Sequence, residues 1–320
     1  MILVTGATGF LGAELIKQLT AQHIKVRALK RKTAVIPHIL QDNNLIEWFV
    51  ADINEPETLA DAFDNITQVY HCAAFISFNP SDKAKLLKIN IEGTSNVVNL
   101  CIEQQARLLH VSSIAALGNA KRDAQITEND FWEYDPKVHS YAISKYEGEM
   151  EVWRGIAEGL NAVIVNPAVI IGKNAGFSGS GAIFKLVKEG LKFYTHGATG
   201  LIDVQDAAKC MILLMNSDIR EERYTLSAGN LNYQEFFTEI ANGFGVKAPS
   251  IEAKPWMLGI AWRLAKLGSY FTQSMPALTK DAAKSSFNLS YYDNSKIKKA
   301  IPIKFKSLKD SIHEVCQALK

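Results

Sequence analysis

Tyr141 and Lys145 are the pair of residues in this sequence best suited to move a proton, and they stand four positions apart in the segment Tyr-Ala-Ile-Ser-Lys. On a helix, side chains at this spacing share a face. A phenol has a pKa of about 10, and a neighbouring ammonium stabilises the phenolate and lowers that pKa. The pair can then donate or accept a proton, although a Tyr and a Lys at this spacing are more often a surface stack.

Ser112 and Ser113 carry two hydroxyl groups at the end of a predicted strand, directly before Ile-Ala-Ala-Leu-Gly. Ligands of open α/β sheets bind at the carboxyl ends of the strands. A serine at that edge can hold a carbonyl oxygen beside the tyrosine. Taken without Tyr141 and Lys145, the two serines would be ordinary residues of a turn.

A glycine-rich turn, Thr-Gly-Ala-Thr-Gly-Phe-Leu-Gly at 5–12, lies between a predicted strand and a predicted helix. Glycines allow the backbone to approach a pyrophosphate, and the helix N-terminus offers free N–H groups and a positive dipole. Packing alone can also explain glycines at a turn, but the placement favours a dinucleotide site. The predicted phosphate-binding residues are Thr5, Gly6, Gly9, Phe10, Leu11 and Gly12.

The type of nucleotide is indicated by Lys30 and Arg31, which follow the second predicted strand. A site for NAD places an acidic residue here, about 20 positions after the glycines, to bind the ribose 2′-hydroxyl. Cations suit a 2′-phosphate instead. The sequence therefore favours NADP, with NAD as the alternative. Solvated surface cations at the end of a strand are the less favoured interpretation of Lys30 and Arg31.

Asp52 and Ile53 follow the third predicted strand, where the adenine of such a cofactor would lie. Asp52 could accept a hydrogen bond from the exocyclic amine of adenine. A second interpretation needs no ligand, because Asn54 in the same loop could act as the N-cap of the next helix.

The elements that must hold these residues alternate between short β-branched runs and amphipathic stretches, which is typical of parallel strands joined by crossover helices. The connection 33–44 contains Pro37 and has room for a short helix only. After Pro167 the pattern changes to a Gly-rich loop and helices from about Gly181 and Asp203. The predicted strands are Ile2–Thr5, Lys25–Leu29, Leu45–Val50, Gln68–His71, Leu108–Ser112 and Ala162–Val165.

Composition excludes several classes of protein. The 320 residues are 48% hydrophobic and 21% charged, with 35 Lys+Arg against 33 Asp+Glu, so phosphate neutralisation on a nucleic acid is not expected. The 4 cysteines form no CxxC pair, which argues against a disulfide framework or a zinc site, and no metal is expected. Apolar runs such as 256–262 are shorter than the roughly 18 residues of a membrane span, so no span is expected. A predicted strand follows Met1 directly, where a signal peptide would lie, so a cytoplasmic protein is expected.

The order of the motifs resembles the extended short-chain dehydrogenase/reductases, also grouped as the NAD-dependent epimerase/dehydratase family. The motifs are the glycine turn, His-Cys-Ala-Ala at 71–74, Asn-Ile-Glu-Gly-Thr at 90–94, the serine pair, Tyr-Ala-Ile-Ser-Lys and Asn-Pro-Ala-Val-Ile-Ile-Gly at 166–172. The resemblance implies an α/β fold, a Rossmann doubly wound parallel sheet with a smaller, mostly helical C-terminal substrate domain. The implied domains are 1–166 with about 201–217, and 167–200 with 218–320.

The resemblance also implies roles for individual residues. Ser113 matches the catalytic serine, Tyr141 the general acid/base, and Lys145 the lysine that binds the ribose and tunes the tyrosine. Pro167 and Val169 match the loop beside the nicotinamide, and Asn90 is a weaker match for a helix asparagine near the site. The implied cofactor contacts outside the glycine turn are Lys30, Arg31, Asp52, Ile53, Cys72, Ala73, Ala74, Asn90, Tyr141, Lys145, Pro167 and Val169.

Departures from the family patterns narrow the chemistry. Ile114 and Ala115 replace the Asp-Glu pair of dehydratases, and the segment 196–208 lacks the arginine with which epimerases contact a diphosphate. The chain is more similar to the branch of dihydroflavonol-reductase-like and hydroxysteroid-dehydrogenase-like enzymes, in which Asp203 and Asp206 are expected to cap and orient a helix. We expect an NADP-preferring oxidoreductase that interconverts a carbonyl compound and a secondary alcohol. The alternatives are a nucleotide-sugar epimerase and a non-catalytic NAD(P)-binding sensor. The sequence leaves open whether the protein forms a homodimer.

Aromatic residues suggest the chemical character of the substrate. Phe75 and Phe78 follow the His-Cys-Ala-Ala motif, and Phe177 lies in a later loop. Phe131, Trp132 and Tyr134 lie in another loop that could close over the pocket. Each is individually more often a packing residue, but the set predicts an apolar or aromatic carbonyl substrate.

The segment 251–275 permits two interpretations. It combines Trp256 and Trp262 with Lys254, Arg263 and Lys266, and it has no acidic residue after Glu252. Such a helix can lie on a membrane surface. The favoured interpretation is a lid on the substrate domain, in which at least one of the tryptophans is packed.

Overall fold

The computed structural model describes residues 1–118, 124–130, 132–133, 139–272 and 279–320. The strands are β1 (Ile2–Thr5), β2 (Val26–Lys30), β3 (Ile46–Val50), β4 (Gln68–His71), β5 (Arg107–Val111), β6 (Ala162–Pro167), β7 (Val169–Ile171), β8 (Phe193–Tyr194), β9 (Ala198–Asp203), β10 (Glu222–Leu226), β11 (Gly229–Asn232) and β12 (Ile251–Glu252). Seven of them form a parallel sheet in the order β10-β6-β5-β4-β1-β2-β3.

The helices are α1 (Phe10–Ala21), α2 (Pro56–Asp61), α3 (Lys83–Leu87), α4 (Gly93–Glu103), α5 (Ser140–Ala157), α6 (Gly181–Lys188), α7 (Val204–Met215), α8 (Tyr233–Phe244), α9 (Pro255–Thr272), α10 (Lys280–Ser285), α11 (Ser295–Ala300) and α12 (Leu308–Ala318). Successive strand residues face opposite sides of the sheet. Val4 and Leu109 pack with residues of α1 and α7 on one side. Leu3 and Leu108 pack with residues of α4 and α5 on the other, which gives the two covered faces of a doubly wound fold.

The C-terminal part has a core of its own, in which α6, α8 and α12 pack together with β7 and β9. β7, β9 and β11 form a three-stranded sheet, and β8 pairs with β12. Asn232 and Glu235 form a capping box that starts α8. No helix among the described residues is both long and apolar enough to cross a membrane.

The predicted fold is confirmed, and each of the six predicted strands occurs within two residues of its expected bounds. The connection 33–44 holds only a 3₁₀ turn at His38–Leu40. The alternative interpretation of Asn54 as an N-cap is wrong, because α2 starts at Pro56 after Glu55 and the Asn54 side chain donates to the Lys88 carbonyl at 2.9 Å. The division into domains stays a prediction; β10, from the part assigned to the substrate domain, pairs with β6 in the main sheet.

The two aspartates of the segment 196–208 hold a helix, as expected. Asp203 accepts the Gln205 N–H at 2.8 Å and caps α7. Asp206 accepts the Lys306 N–H at 2.7 Å. These bonds fix α7 at the end of β9 and join it to the chain before α12.

Two histidines lie side by side inside the sheet, His71 on β4 and His110 on β5, with ring centroids 5.2 Å apart. The His71 ring nitrogens lie 2.7 Å from the Thr5 hydroxyl and 3.0 Å from the Thr94 hydroxyl. Because Thr94 donates its hydrogen to the Asn90 carbonyl, the His71 Nε2–H must donate to Thr94 and Nδ1 must accept from Thr5. A neutral ring satisfies both bonds, and burial lowers the pKa of His71 to about 3.

His110 has no such partners. Both of its ring nitrogens are buried without a hydrogen bond among the described residues. Burial lowers its pKa well below the usual value, and the charge of Lys145 adds to that effect. The folded protein therefore excludes the proton that the unfolded chain binds at this ring.

We predict that His110→Leu makes the protein less sensitive to acid. Below a pH of about 6.5 the unfolded chain protonates this imidazole and the folded chain does not, so falling pH favours unfolding. Between about pH 7 and about pH 5, the free energy of unfolding should fall by about 2 kcal/mol less in the variant than in the wild type. Urea titrations at both pH values measure this difference. The exposed His313, changed to Leu, is the control; equal acid sensitivity of His110→Leu and the wild type would contradict the prediction.

Candidate active site

The glycine turn between β1 and α1 brings three backbone segments into close contact. Gly6 has a φ of +65°, and a Cβ there would lie 2.6 Å from the Ala73 nitrogen. A Cβ at Gly12 would lie 2.3 Å from the Gly6 carbonyl oxygen. α1 begins directly after Gly9, and no side chain caps it. The turn therefore packs against the end of β4, and the first N–H groups of α1 have no side-chain acceptor.

A cleft opens over this turn at the carboxyl ends of β1 to β4. Nine of the predicted cofactor residues line it: Gly6, Gly9, Lys30, Arg31, Asp52, Ile53, Cys72, Ala73 and Ala74. Thr8, Leu29, Ala51 and Ile89 line it too and were missed in the sequence. Each of these four is a direct chain neighbour of a predicted cofactor residue, which was the available signal.

Lys30, Arg31 and Asp52 are the charged residues that line the cleft. Lys30 is half-buried at the end of β2, and Arg31 is exposed beside it. Asp52 is half-buried, and its Oδ1 accepts the Asn54 N–H at 3.0 Å, which shapes the loop after β3. The predicted cations and the predicted adenine contact therefore share one cleft.

Asn90 connects the cleft to α5 instead of lining the cleft. It is buried in a π-helical turn at Lys88–Glu92, between α3 and α4. Its amide donates to the Phe75 carbonyl and to the Ser144 hydroxyl, both at 2.9 Å, and its Oδ1 accepts the Phe75 N–H at 2.8 Å. Both amide N–H groups are thus used within the protein. In the structure the Asn90 side chain joins Phe75 to α5, and its contact with a cofactor stays a prediction.

Tyr141 and Ser113 lie together at the end of β5. His139 caps α5, accepting the Ala142 N–H at 3.1 Å, so Tyr141 is the second residue of the helix. The Ser113 hydroxyl accepts the Ala115 N–H at 3.1 Å. Burial raises the pKa of Tyr141, and a hydrogen bond with the Ser113 side chain partly opposes this. The phenol therefore carries its proton at neutral pH.

Lys145 lies one turn further along α5 and is 4% exposed. Its Nζ donates to the Val111 carbonyl at 2.8 Å. Burial lowers the pKa of Lys145 to about 8, although the charge of Glu149 opposes the shift. Burial and Ser113 are what shift the pKa of Tyr141 in this arrangement, and tuning of the tyrosine by Lys145 stays a prediction.

A buried carboxylate, Glu149, lies one more turn along α5 and was missed in the sequence. It is 0% exposed. Its Oε2 accepts from the Ser112 hydroxyl at 2.6 Å and from the Asn166 amide at 2.7 Å. Its Oε1 faces Arg223 at 3.1 Å and Trp153 at 3.2 Å. The Ser112 hydroxyl is therefore used by Glu149, and Ser113 is the serine beside Tyr141. In the sequence, Glu149 could have been found from its position four residues after Lys145.

The predicted substrate aromatics divide between different places. The Phe78 ring lies 5.7 Å from Tyr141 and 5.5 Å from His139. Phe75 lines the cleft of the predicted cofactor residues, 4.3 Å below the Lys85 ammonium. Phe177 is 43% exposed beside Lys188 of α6, and it has no ring contact with Phe78 or Tyr141 in the described part of the chain.

The remaining aromatic loop is described only in part. Trp132 stacks on Tyr146 of α5 with centroids 4.4 Å apart. Phe131 and Tyr134 lie outside the described residues. Pro167 and Val169 flank the junction of β6 and β7, next to the end of β5.

A doubly wound sheet with a glycine turn at β1 and a Ser, Tyr and Lys group at β5 defines a nucleotide-binding protein of the dehydrogenase/reductase type. Residues 2–227 match the family described as "NAD dependent epimerase/dehydratase family". The chain belongs to this family.

Related proteins carry the names of different enzymes, one of them a reductase. A Synechocystis sp. protein, whose name proposes a dihydroflavonol 4-reductase, is 30% identical over 319 residues, which cover 97% of this chain and 91% of the relative. "Sterol demethylase protein B" of Methylococcus capsulatus is 28% identical over 266 residues, covering 81% of this chain and 79% of the relative.

Solved structures share the fold. The crystal structure of gox2253 has a TM-score of 0.84 and 26% identity, covering 99% of this chain and 97% of that one. The Bordetella bronchiseptica enzyme WbmG, solved with NAD and UDP, has a TM-score of 0.77 and 19% identity, covering 99% and 94%. At 19% identity the second likeness concerns the fold alone.

We predict that Glu149→Gln destabilises the protein strongly. The amide keeps the shape of the side chain but leaves the guanidinium of Arg223, whose side chain is 11% exposed, without a counter-charge. Breaking a buried pair in this way costs about 3 kcal/mol. Urea unfolding of both proteins measures the loss.

The matched control is Glu222→Gln, because Glu222 adjoins Arg223 in the chain but pairs with Lys296 at the surface. That change should cost less than about 1 kcal/mol. A similarly small loss for Glu149→Gln would mean that Arg223 is adequately solvated and that the carboxylate does not hold the strands.

Proposed function

We propose that this protein is an NADP-preferring oxidoreductase that transfers hydride between nicotinamide and a carbonyl/secondary alcohol substrate. The observation that carries the proposal is the arrangement at the end of β5. Tyr141 is hydrogen-bonded to Ser113, and Lys145 is buried one turn away on the same helix. The reductase names of relatives, which include "Cinnamoyl-CoA reductase CAD2" of Medicago truncatula at 26% identity over 259 residues, support it.

The residues of the cleft fit a dinucleotide. The absence of a Cβ at Gly6 and Gly12 lets the turn pack closely against Ala73 and against itself. The first N–H groups of α1, which no side chain caps, would bind the pyrophosphate. Lys30 and Arg31 would hold a 2′-phosphate, and Asp52 would face the adenine. When bound, the nicotinamide cofactor supplies or accepts the hydride.

The protein's own residues would handle the substrate oxygen and the proton. The Ser113 hydroxyl would hold the oxygen, and the protonated Tyr141 phenol would donate its proton to that oxygen during reduction. Lys145 would bind the ribose through its ammonium. Its pKa of about 8 means that this charge is present at neutral pH and is lost as the pH rises above about 8.

The surroundings of Tyr141 support an apolar or aromatic substrate. Phe78 is 43% exposed beside the phenol, and the His139 ring lies parallel to the Tyr141 ring with centroids 6.1 Å apart. An aromatic carbonyl compound could stack on such faces. We therefore propose Phe78 as a substrate contact, whereas Phe75 contributes to the cofactor cleft.

A reductase is favoured over a nucleotide-sugar epimerase by the structure of the segment 196–208. That segment forms β9 and the start of α7, and Lys306, the cation beside Asp203, is 3.4 Å from its carboxylate. A cation engaged by Asp203 and by Glu314 at 2.9 Å is poorly placed to bind a diphosphate.

We predict that NADPH binds at least tenfold more tightly than NADH, which corresponds to about 1.4 kcal/mol. The reason is the 2′-phosphate, which Lys30 and Arg31 would neutralise. Calorimetric titration of both nucleotides measures the ratio. In the double variant Lys30→Ala/Arg31→Ala the ratio should approach one, mainly through weaker NADPH binding, whereas Lys32→Ala, an exposed neighbour, should keep it. Equal affinities of the wild type for the two nucleotides would refute the preference.

We predict that Tyr141→Phe lowers turnover by roughly 10² to 10⁴ and leaves NADPH affinity nearly unchanged, since only the proton-transferring hydroxyl is lost. The assay follows NADPH oxidation with a panel of aromatic aldehydes and ketones. Tyr146→Phe, on the same helix but stacked on Trp132, should retain near-normal turnover. If a substrate is found and Tyr141→Phe turns it over like the wild type, the mechanism is wrong.

A further inference from the structure

Helix α9 presents an apolar surface that the rest of the described chain does not cover. Trp256, Ile260 and Leu264 are 66%, 51% and 62% exposed. They stand four positions apart, so they form one stripe along the helix, here called the apolar stripe. None of the side chains at 255–265 is buried, although the segment includes two tryptophans. By contrast α8 buries Phe236, Ile240 and Ala241.

The charged residues of the segment that carries the apolar stripe have one sign, up to Asp281 in α10. Arg263 follows Trp256 by seven positions, two helical turns, and therefore borders the stripe. Its guanidinium donates to the Gly259 carbonyl at 2.6 Å and lies 4.7 Å from the Trp262 ring. From residue 253 to residue 280 the sequence has the cations Lys254, Arg263, Lys266 and Lys280 and no Asp or Glu. The nearest earlier acid, Glu252, lies 3.4 Å from His196.

More apolar surface precedes the helix. Ile251 of β12 is 44% exposed and is the register partner of Phe193 of β8, which is 40% exposed. Paired residues of neighbouring strands project to the same side of a sheet. Ile251 and Phe193 thus form a second exposed apolar pair directly before the start of α9.

The lid interpretation, favoured from the sequence, required a packed tryptophan. Trp256 is 66% exposed, and Trp262 is half-buried with Arg263 over its ring. A symmetric pairing of α9 with a second copy would place the cations of both copies close together, because a two-fold interface brings the same patch against itself. An apolar surface edged by Trp, Lys and Arg instead matches the interface of a bilayer that carries negative headgroups.

We propose that α9 docks on the surface of an anionic lipid bilayer. The apolar stripe enters the boundary between headgroups and acyl chains, and Lys254 and Arg263 contact the phosphates. The helix lies in the plane of the surface and does not cross the bilayer. This docking is independent of the proposed reductase activity, since it uses no residue of the cleft or of the Tyr141 group.

Co-sedimentation of the full chain with vesicles tests the proposal. Two vesicle types are compared, phosphatidylcholine alone and phosphatidylcholine with about a third phosphatidylglycerol. The bound fraction should be at least about tenfold higher on the anionic vesicles, and it should fall steeply between about 0.05 M and about 0.5 M salt. Trp256→Ser/Leu264→Ser should lose most of the binding at an unchanged melting temperature.

The matched control is Leu289→Ser, since Leu289 is 66% exposed and lies outside α9. It should sediment like the wild type. NADPH affinity measured on the same proteins should be equal, so the reductase proposal and the docking proposal can fail separately.

Three outcomes would overturn the docking proposal. One is the absence of salt-sensitive binding to the anionic vesicles. Another is a melting temperature of Trp256→Ser/Leu264→Ser well below that of Leu289→Ser, which would identify α9 as a packed lid. The third is a dimer in analytical ultracentrifugation that the double variant abolishes while vesicle binding is absent, which would identify a second copy as the occupant.

Discussion

The buried carboxylate of Glu149 is the interaction on which the geometry of the candidate site depends. A charge with no exposure to water is tolerated only when it is paired and hydrogen-bonded. Glu149 obtains its partners from three neighbouring strands of the sheet: Ser112 after β5, Asn166 in β6 and Arg223 in β10. Since Glu149 is itself on α5, the requirement to satisfy this one group locks the helix to the carboxyl ends of the strands. Two of those partners are chain neighbours of residues proposed to act in the site.

A second set of hydrogen bonds connects the glycine turn to the same helix. It runs from Thr5 through His71 to Thr94, and from there through Asn90 to Ser144. Each member is buried, so each must keep its partner, and no member can move alone without leaving a polar group unsatisfied. The position of α5, and with it that of Tyr141, is therefore coupled to the cleft. The proposed activity, which would bring a nucleotide and a carbonyl compound together, needs such a fixed relation between the two halves of the site.

The C-terminal part follows different constraints. Its core around α8 and α12 is packed like that of the main sheet, whereas α9 leaves the apolar stripe uncovered. An exposed apolar stripe that includes a tryptophan is unfavourable in water, which is why such a surface indicates an occupant. The same chain thus combines a rigid site at the sheet edge with a helix suited to an external surface.

The sequence by itself determined the α/β class, the six strands of the first half, the phosphate-type turn at Gly6 to Gly12 and the Tyr141/Lys145 pair, because these depend on local spacing and on the period of strands and helices. Only the tertiary structure decided that Ser112 faces Glu149 while Ser113 faces Tyr141, and that β10 joins the sheet beside β6. Those outcomes arise from contacts between residues far apart in the chain.

The same distinction separates Phe75 from Phe78, which are three residues apart in the sequence and look equivalent there. Asn90 binds the backbone N–H and carbonyl of Phe75, which lines the cleft, whereas the Phe78 ring contacts Tyr141. For α9 the amphipathic composition was evident, but whether its apolar side is covered depends on the packing of every other element. Local pattern specifies which residues are able to pack or react; the partners that each one meets are fixed only when distant strands and helices are brought together.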